Sequence, residues 1–132
     1  MIVFPLFVNN CKMNLSTIDP LIGRVTGGAI IGFDGGIWAT TPGFYGSTSE
    51  FSQFRNIFVP NSEMIYKGVL FMGETYVVTN IKSDSVVAKK GTSSLVIAKC
   101  KDCIVLGFND NQIKFETCQK AVMDLASRIK EQ

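Results

Sequence analysis

Between Val69 and Phe108 the chain breaks into short apolar runs: Val69 to Phe71, Tyr76 to Thr79, Ser85 to Ala88, Leu95 to Lys99 and Ile104 to Phe108. Turn signals at Met72-Gly73, Ser83-Asp84, Gly91 and Lys101-Asp102 separate them. Runs this short, with no regular βαβ alternation, read as an antiparallel meander. Helices lie on either side of the meander. Ser47 and Glu50 have capping-box spacing ahead of Phe51, Phe54, Ile57 and Phe58, which share one helical stripe until Pro60 ends it. Near the end, Cys118, Ala121, Val122, Leu125 and Ile129 share a face, with Gln119, Lys120, Asp124, Arg128 and Lys130 turned away from it, as in an amphipathic helix. Strands flanked by helices at both ends predict an α+β sheet with helices packed on it. Met1 to Val8 reads as a short opening helix with Pro5 in its first turn, and Cys11 to Thr26 as a loop.

A second hairpin signal lies upstream. Gly28 to Phe44 is an apolar strand that turns at Asp34-Gly35 and returns with Trp38, the only tryptophan. Strand alternation puts Gly36, Trp38 and Thr40 on one face and Ile37 and Ala39 on the other, so the indole is expected as a partly exposed aromatic shelf.

At 132 residues and 46% hydrophobic, residues 1–132 are expected to form a single domain with a core that needs no staples. A net charge of +2 is too weak for a nucleic-acid partner. The apolar start is too short to span a bilayer and lacks a basic leader, so a cytoplasmic protein is expected. Four cysteines in that setting read as reduced thiols. Cys100 and Cys103 have metal-ligand spacing, but a closed zinc site needs two more ligands and the chain has no histidine. The simpler reading makes Lys101-Asp102 a turn that sets Cys100 opposite Cys103. Lack of histidine also removes the usual general base and every Ser-His or Cys-His nucleophile. Asp34, Asp84, Asp102 and Asp110 sit at turns or strand edges, and no Walker or GxGxxG loop is present. A binding module is favoured over an enzyme.

Taken in order, Gly28-Ala29-Ile30-Ile31-Gly32-Phe33-Asp34-Gly35-Gly36-Ile37-Trp38-Ala39, then Lys89-Lys90-Gly91, then a terminal helix containing Leu125-Ala126 resemble the profilins, the small actin-monomer-binding proteins. The resemblance runs in register from about Gly28 to the end. It implies a profilin-like central antiparallel sheet with the N- and C-terminal helices packed on one face and short helices on the other. It implies binding of monomeric actin with regulation of its polymerisation, docking of proline-rich proteins such as formins, and binding of phosphatidylinositol bisphosphate at membrane surfaces. No cofactor, metal or enzymatic activity is implied.

The resemblance also implies sites. A polyproline II ligand is preformed and docks on aromatics. Trp38 matches the family's sheet tryptophan, and Phe4 and Phe7, followed by Val8-Asn9-Asn10, match the spacing of the opening helix's aromatic pair. Phenylalanines keep the stacking surface and lose the NH and OH. A rival register places Ser16 to Gly23 on the end of that helix and leaves Phe4 and Phe7 in an N-terminal extension. The family's C-terminal aromatics are replaced here by Ser127 to Gln132. Positions matching the actin edge are Lys90, Ile113, Lys114, Gln119, Lys120 and Asp124, an apolar centre within a polar rim. Lys89, Lys99, Lys101, Arg128 and Lys130 are the basic residues open to a phosphoinositide. Two alternatives stay open: a profilin-like or roadblock-type scaffold that has lost actin binding, and a thiol enzyme built on Cys100 and Cys103.

Overall fold

The computed structural model describes residues 6–8, 11–13, 15–42, 44 and 48–130. Strands β1 (Leu6–Val8) and β2 (Cys11–Met13) pair with one another, and a 3-10 helix follows over Leu15–Leu21. Then come β3 (Gly27–Gly32), β4 (Ile37–Thr40), the short helix α1 (Thr48–Ser52), a second 3-10 helix over Gln53–Phe58, and α2 (Met64–Lys67). The chain finishes with β5 (Val69–Phe71), β6 (Glu74–Ile81), β7 (Ser85–Lys90), β8 (Ser93–Lys99), β9 (Cys103–Asn109) and α3 (Phe115–Lys130). Strands β3 to β9 form one antiparallel sheet in the order β4-β3-β9-β8-β7-β6-β5. None of the described helices is long and apolar enough to cross a membrane.

The centre of the sheet is apolar on both faces. Leu95, Ile97, Ile104 and Leu106 point to one side with Val86 and Ala88, where Phe51, Phe54 and Ile57 cover them. Val96, Ala98 and Val105 point to the other side, under Val122, Leu125 and Ile129 of α3 and Ile18 and Leu21 of the first 3-10 helix. Burying each of these large aliphatic side chains stabilises the fold by about 2 kcal/mol. Phe71 is the hub of the first layer, with ring centroids 5.9 Å from Phe44, 5.8 Å from Tyr76 and 5.5 Å from Phe108. Offset and edge-on packing at such distances is favourable for aromatic pairs.

The meander and the terminal helix form where the sequence predicts them, and all five residues of the predicted α3 stripe are buried. The helix expected from Ser47 to Pro60 is α-helical only through Ser52 and then tightens to 3-10. Phe51, Phe54 and Ile57 recur every third residue, and a helix with three residues per turn stacks them on one line. Two expectations near the start are corrected. Leu6–Val8 is a strand rather than part of an opening helix, and Cys11 to Thr26 contains a strand and a 3-10 helix rather than a loop. The 3-10 helix forms because Ile18 and Leu21, three apart, are both buried against α3 and the sheet.

The β3–β4 hairpin closes on a three-residue loop, Phe33 to Gly35. The Gly32 amide donates to the Gly36 carbonyl at 2.8 Å, the Gly35 amide to the Gly32 carbonyl at 3.0 Å, and Gly35 takes φ 89°. Asp34 accepts the Gly36 amide at 2.9 Å, so its carboxylate locks the loop instead of taking a left-handed conformation itself. Pairing then shifts, with Ile30 opposite Ala39 but Ile31 opposite Ile37. This bulge overturns the predicted alternation. Trp38 and Ala39 both pack toward the α3 layer, Ile37 toward the phenylalanine layer, and Thr40 is buried opposite Ala29.

Two glycines permit close approaches. A Cβ on Gly107 would run into the Cγ2 of Val122, so Gly107→Ala is expected to push α3 off the sheet and cost about 2 kcal/mol in urea unfolding. A Cβ on Gly32 would lie 3.0 Å from the Trp38 Nε1, so Gly32→Ala should displace the indole and red-shift its fluorescence while far-UV circular dichroism is retained.

Candidate binding surfaces

The two flanks of α3 have different chemistry because strand β7 borders one and the turn at Arg24, after the first 3-10 helix, borders the other. On one flank, Lys89 lies with its Nζ 4.3 Å above the ring of Phe115. A cation over an exposed aromatic contributes about 0.5–1 kcal/mol and holds both side chains in place. Val77 is directly opposite Lys89 across the β6–β7 pair, on the same side of the sheet, and 63% of its surface is exposed. Leu70, 44% exposed, faces Thr75 two residues earlier on β6. Half-buried Phe115, Met123 and Gln119 follow along the helix. The result is an apolar strip crossing from the sheet edge to the helix, with cations at its border.

Hydrogen bonds fix the loop leading into this flank. Asn109, buried at the end of β9, donates to the Ile113 carbonyl at 3.1 Å and holds Ile113 half-buried against the α3 layer. Asp110 accepts from the Gln112 amide at 2.9 Å and from the Thr26 hydroxyl at 3.0 Å, which ties the loop to the strand entry. Lys114 is exposed at the start of the helix.

The predicted actin set therefore divides. Ile113, Lys114 and Gln119 border the apolar flank. Lys120 and Asp124 lie on the other flank, paired at 3.5 Å, and line a shallow cavity of about 210 Å³ with Arg24, Thr117 and Ala121. Lys90 is one residue past Lys89 and so points to the opposite face of β7, where it pairs with Glu74 at 2.9 Å. Val77, Leu70 and Phe115 were not singled out in the sequence. Tyr76-Val77-Val78 reads as a plain apolar run, and only the position of β6 near the sheet edge leaves Val77 bare.

The basic residues also separate. Lys101 and Lys130 sit at the end of the molecule where the β8–β9 turn meets the end of α3, and Lys130 pairs with Asp84 at 2.7 Å. That bond holds the Asp84 carboxyl below its ordinary range. Lys99 reaches the Phe58 ring at 6.0 Å on the opposite layer, and Arg128 lines an open groove of about 470 Å³ with Arg24, Asp19, Pro20 and Ile22. Lys89 is at the far end of β7.

Trp38 is half-buried on edge strand β4, against the layer that holds Ile18, Leu21 and Ile129. Phe4 lies outside the described residues, as do Asn9 and Asn10, and Phe7 is described only by its backbone place in β1. Cys100 and Cys103 face one another across the Lys101-Asp102 turn as expected. Among the described residues no three His, Cys, Asp or Glu side chains gather as a metal site.

A profilin family model matches residues 16–132. That match begins inside the first 3-10 helix, in keeping with the register that leaves Phe4 and Phe7 in an N-terminal extension. Profilin-2 of Acanthamoeba castellanii is 33% identical over 107 residues, covering 81% of this chain and 85% of its own length. The crystal structure of Acanthamoeba castellanii profilin II superposes with a TM-score of 0.80 at 29% identity, over 88% of this chain and 95% of that one. The fold is also that of LokiProfilin1 in its complex with rabbit actin (TM-score 0.66, 16% identity, 86% and 90% covered). It is shared too by mouse profilin IIa in complex with a double repeat from the FH1 domain of mDia1 (TM-score 0.64, 13% identity, 86% and 93% covered). By the extent of the family match and its likeness to the amoebal protein, this chain belongs to the profilin family.

Proposed function

We propose that this protein binds monomeric actin in the cytoplasm, regulates its polymerisation, and docks on proline-rich partners such as formins, acting by binding and not by catalysis. Family membership supports the class of function, and the exposed Val77 beside the Lys89–Phe115 pair is the observation that carries the actin surface. An apolar centre with charged and amide groups around it is the usual build of a specific interface. The surface takes in Leu70, Val77, Lys89, Phe115 and Gln119, with Ile113 and Lys114 at its lower border. Lys90 borders it from the other face of β7, and Lys120 and Asp124 are peripheral. Excess protein is expected to slow spontaneous assembly of pyrene-labelled actin. Val77→Asp should weaken that effect about ten-fold, since a desolvated charge at an interface centre readily costs ~1.4 kcal/mol. Equal potency of the Val77→Asp and unaltered proteins would remove this surface.

For proline-rich partners the proposed groove is floored by Trp38, with Phe4 and Phe7 supplying walls from the segment ahead of the first 3-10 helix. Stacking of proline rings on aromatics needs no NH or OH, so Phe4 and Phe7 have the chemistry for this contact although they lie ahead of the segment that the family model matches. Titration with a proline decamer should change the emission of the single tryptophan, and Phe4→Ala with Phe7→Ala should weaken the titration. Unchanged emission at millimolar peptide rules the groove out.

Phosphoinositide binding is proposed for the end bearing Lys99, Lys101, Arg128 and Lys130, with Lys89 set apart at the other end of β7. Each cation near an anionic surface contributes on the order of 1 kcal/mol.

A further inference from the structure

Cys100 and Cys103 are used by none of the surfaces above. They are 4% and 0% exposed, directly opposite one another in the extended β8–β9 register, and closed by a 2.8 Å hydrogen bond from the Cys100 amide to the Cys103 carbonyl. Hydrogen-bonded antiparallel partners have Cα atoms about 5.5 Å apart, which lies within the span of a disulfide. Both side chains point to the α3 layer, and the Cys100 thiol donates to the Ala126 carbonyl at 3.7 Å. The last turn of α3 thus covers the pair, held at its end by the part-exposed Lys130–Asp84 bond.

We propose that Cys100 and Cys103 are a reversible thiol–disulfide site, oxidised by hydrogen peroxide entering beneath the last turn of α3. The Cys100 thiolate attacks one peroxide oxygen, the O–O bond breaks, and the departing hydroxide takes a proton to leave as water, giving a sulfenic acid. The Cys103 sulfur then attacks the Cys100 sulfur. Its proton and the sulfenic hydroxyl leave as a second water, and the S–S bond forms. Two thiols are oxidised by two electrons in all, and one peroxide is reduced to two waters.

Position selects Cys100 as the attacking group: it is the less buried of the two thiols, 4% against 0% exposed, and it lies directly under the last turn of α3. The hydrogen bond from Cys103 first, and then the Lys130 charge, hold its thiol below the ordinary range against the opposing pull of burial and of the Asp84 carboxylate. Cys118, buried in the same layer without such help, is pushed up to about 12. Closure withdraws the thiol hydrogen from the Ala126 carbonyl, so α3 loses a tie at its last turn.

The native protein would be treated with hydrogen peroxide, then denatured and alkylated, and its mass and tryptic peptides measured. Lys101 lies between the two cysteines, so trypsin leaves Cys100 and Cys103 on separate peptides when reduced and joined when the bond has formed. The expected product carries two alkyl groups where the fully reduced protein carries four, is lighter by two hydrogens apart from those labels, and has these peptides linked, with dithiothreitol restoring the four-fold labelled form. Cys103→Ser should leave a sulfenic acid on Cys100 that dimedone captures. A disulfide involving Cys11 or Cys118 instead, a covalent dimer, or thiols at 100 and 103 that both remain alkylatable would overturn the proposal. The peptide map of the unaltered protein decides the matter even if the serine variant does not fold.

Discussion

Everything in this fold follows from two strands that are apolar on both sides. β8 and β9 bury Leu95, Ile97, Ile104 and Leu106 on one face and Val96, Ala98 and Val105 on the other, so neither face can be left to water. A two-sided core needs two covering layers. The chain supplies one from its long terminal helix and the first 3-10 helix, and the other from the aromatics between Phe44 and Phe71. The surface that these layers leave uncovered lies at their edges, where the sheet runs past its cover. The Val77 flank and the Trp38 shelf are such edges, at opposite ends of the strand order.

What could be read from the sequence was what local spacing determines. The strands between Val69 and Phe108 were legible because each is bounded by a turn signal, and α3 because its apolar residues recur with helical period from Cys118 to Ile129, about three turns. Cys100 facing Cys103 was legible for the same reason, as a two-residue turn fixes its flanking pair. The bulge at Ile30 and Ile31 was not, because it depends on how β3 fits against β9 and β4 together. Its omission reversed the predicted face of Trp38 relative to Ala39.

The site was less legible than the fold. Lys120 and Asp124 are as polar as Gln119, and nothing in their spacing says that Arg24, far away in the chain, will border them. Lys89 and Lys90 are neighbours in sequence, yet a strand's pleat sends one to Phe115 and the other to Glu74. Polar residues on one helix or one turn are interchangeable to a pattern reader until tertiary packing gives each a different neighbour.

Glu50, expected in a capping box, extends beyond α1. Its two carboxylate oxygens accept the amides of Met72 and Gly73 at 2.9 and 3.0 Å, gripping the β5–β6 turn in which both residues take positive φ. One side chain from the phenylalanine layer thus sets the position of the strand edge that displays Leu70 and Val77 on the opposite side. The two layers are mechanically joined there: a partner that tilts α1 would shift the exposed strip without touching it, and a partner pressing on the strip would be felt in the aromatic core.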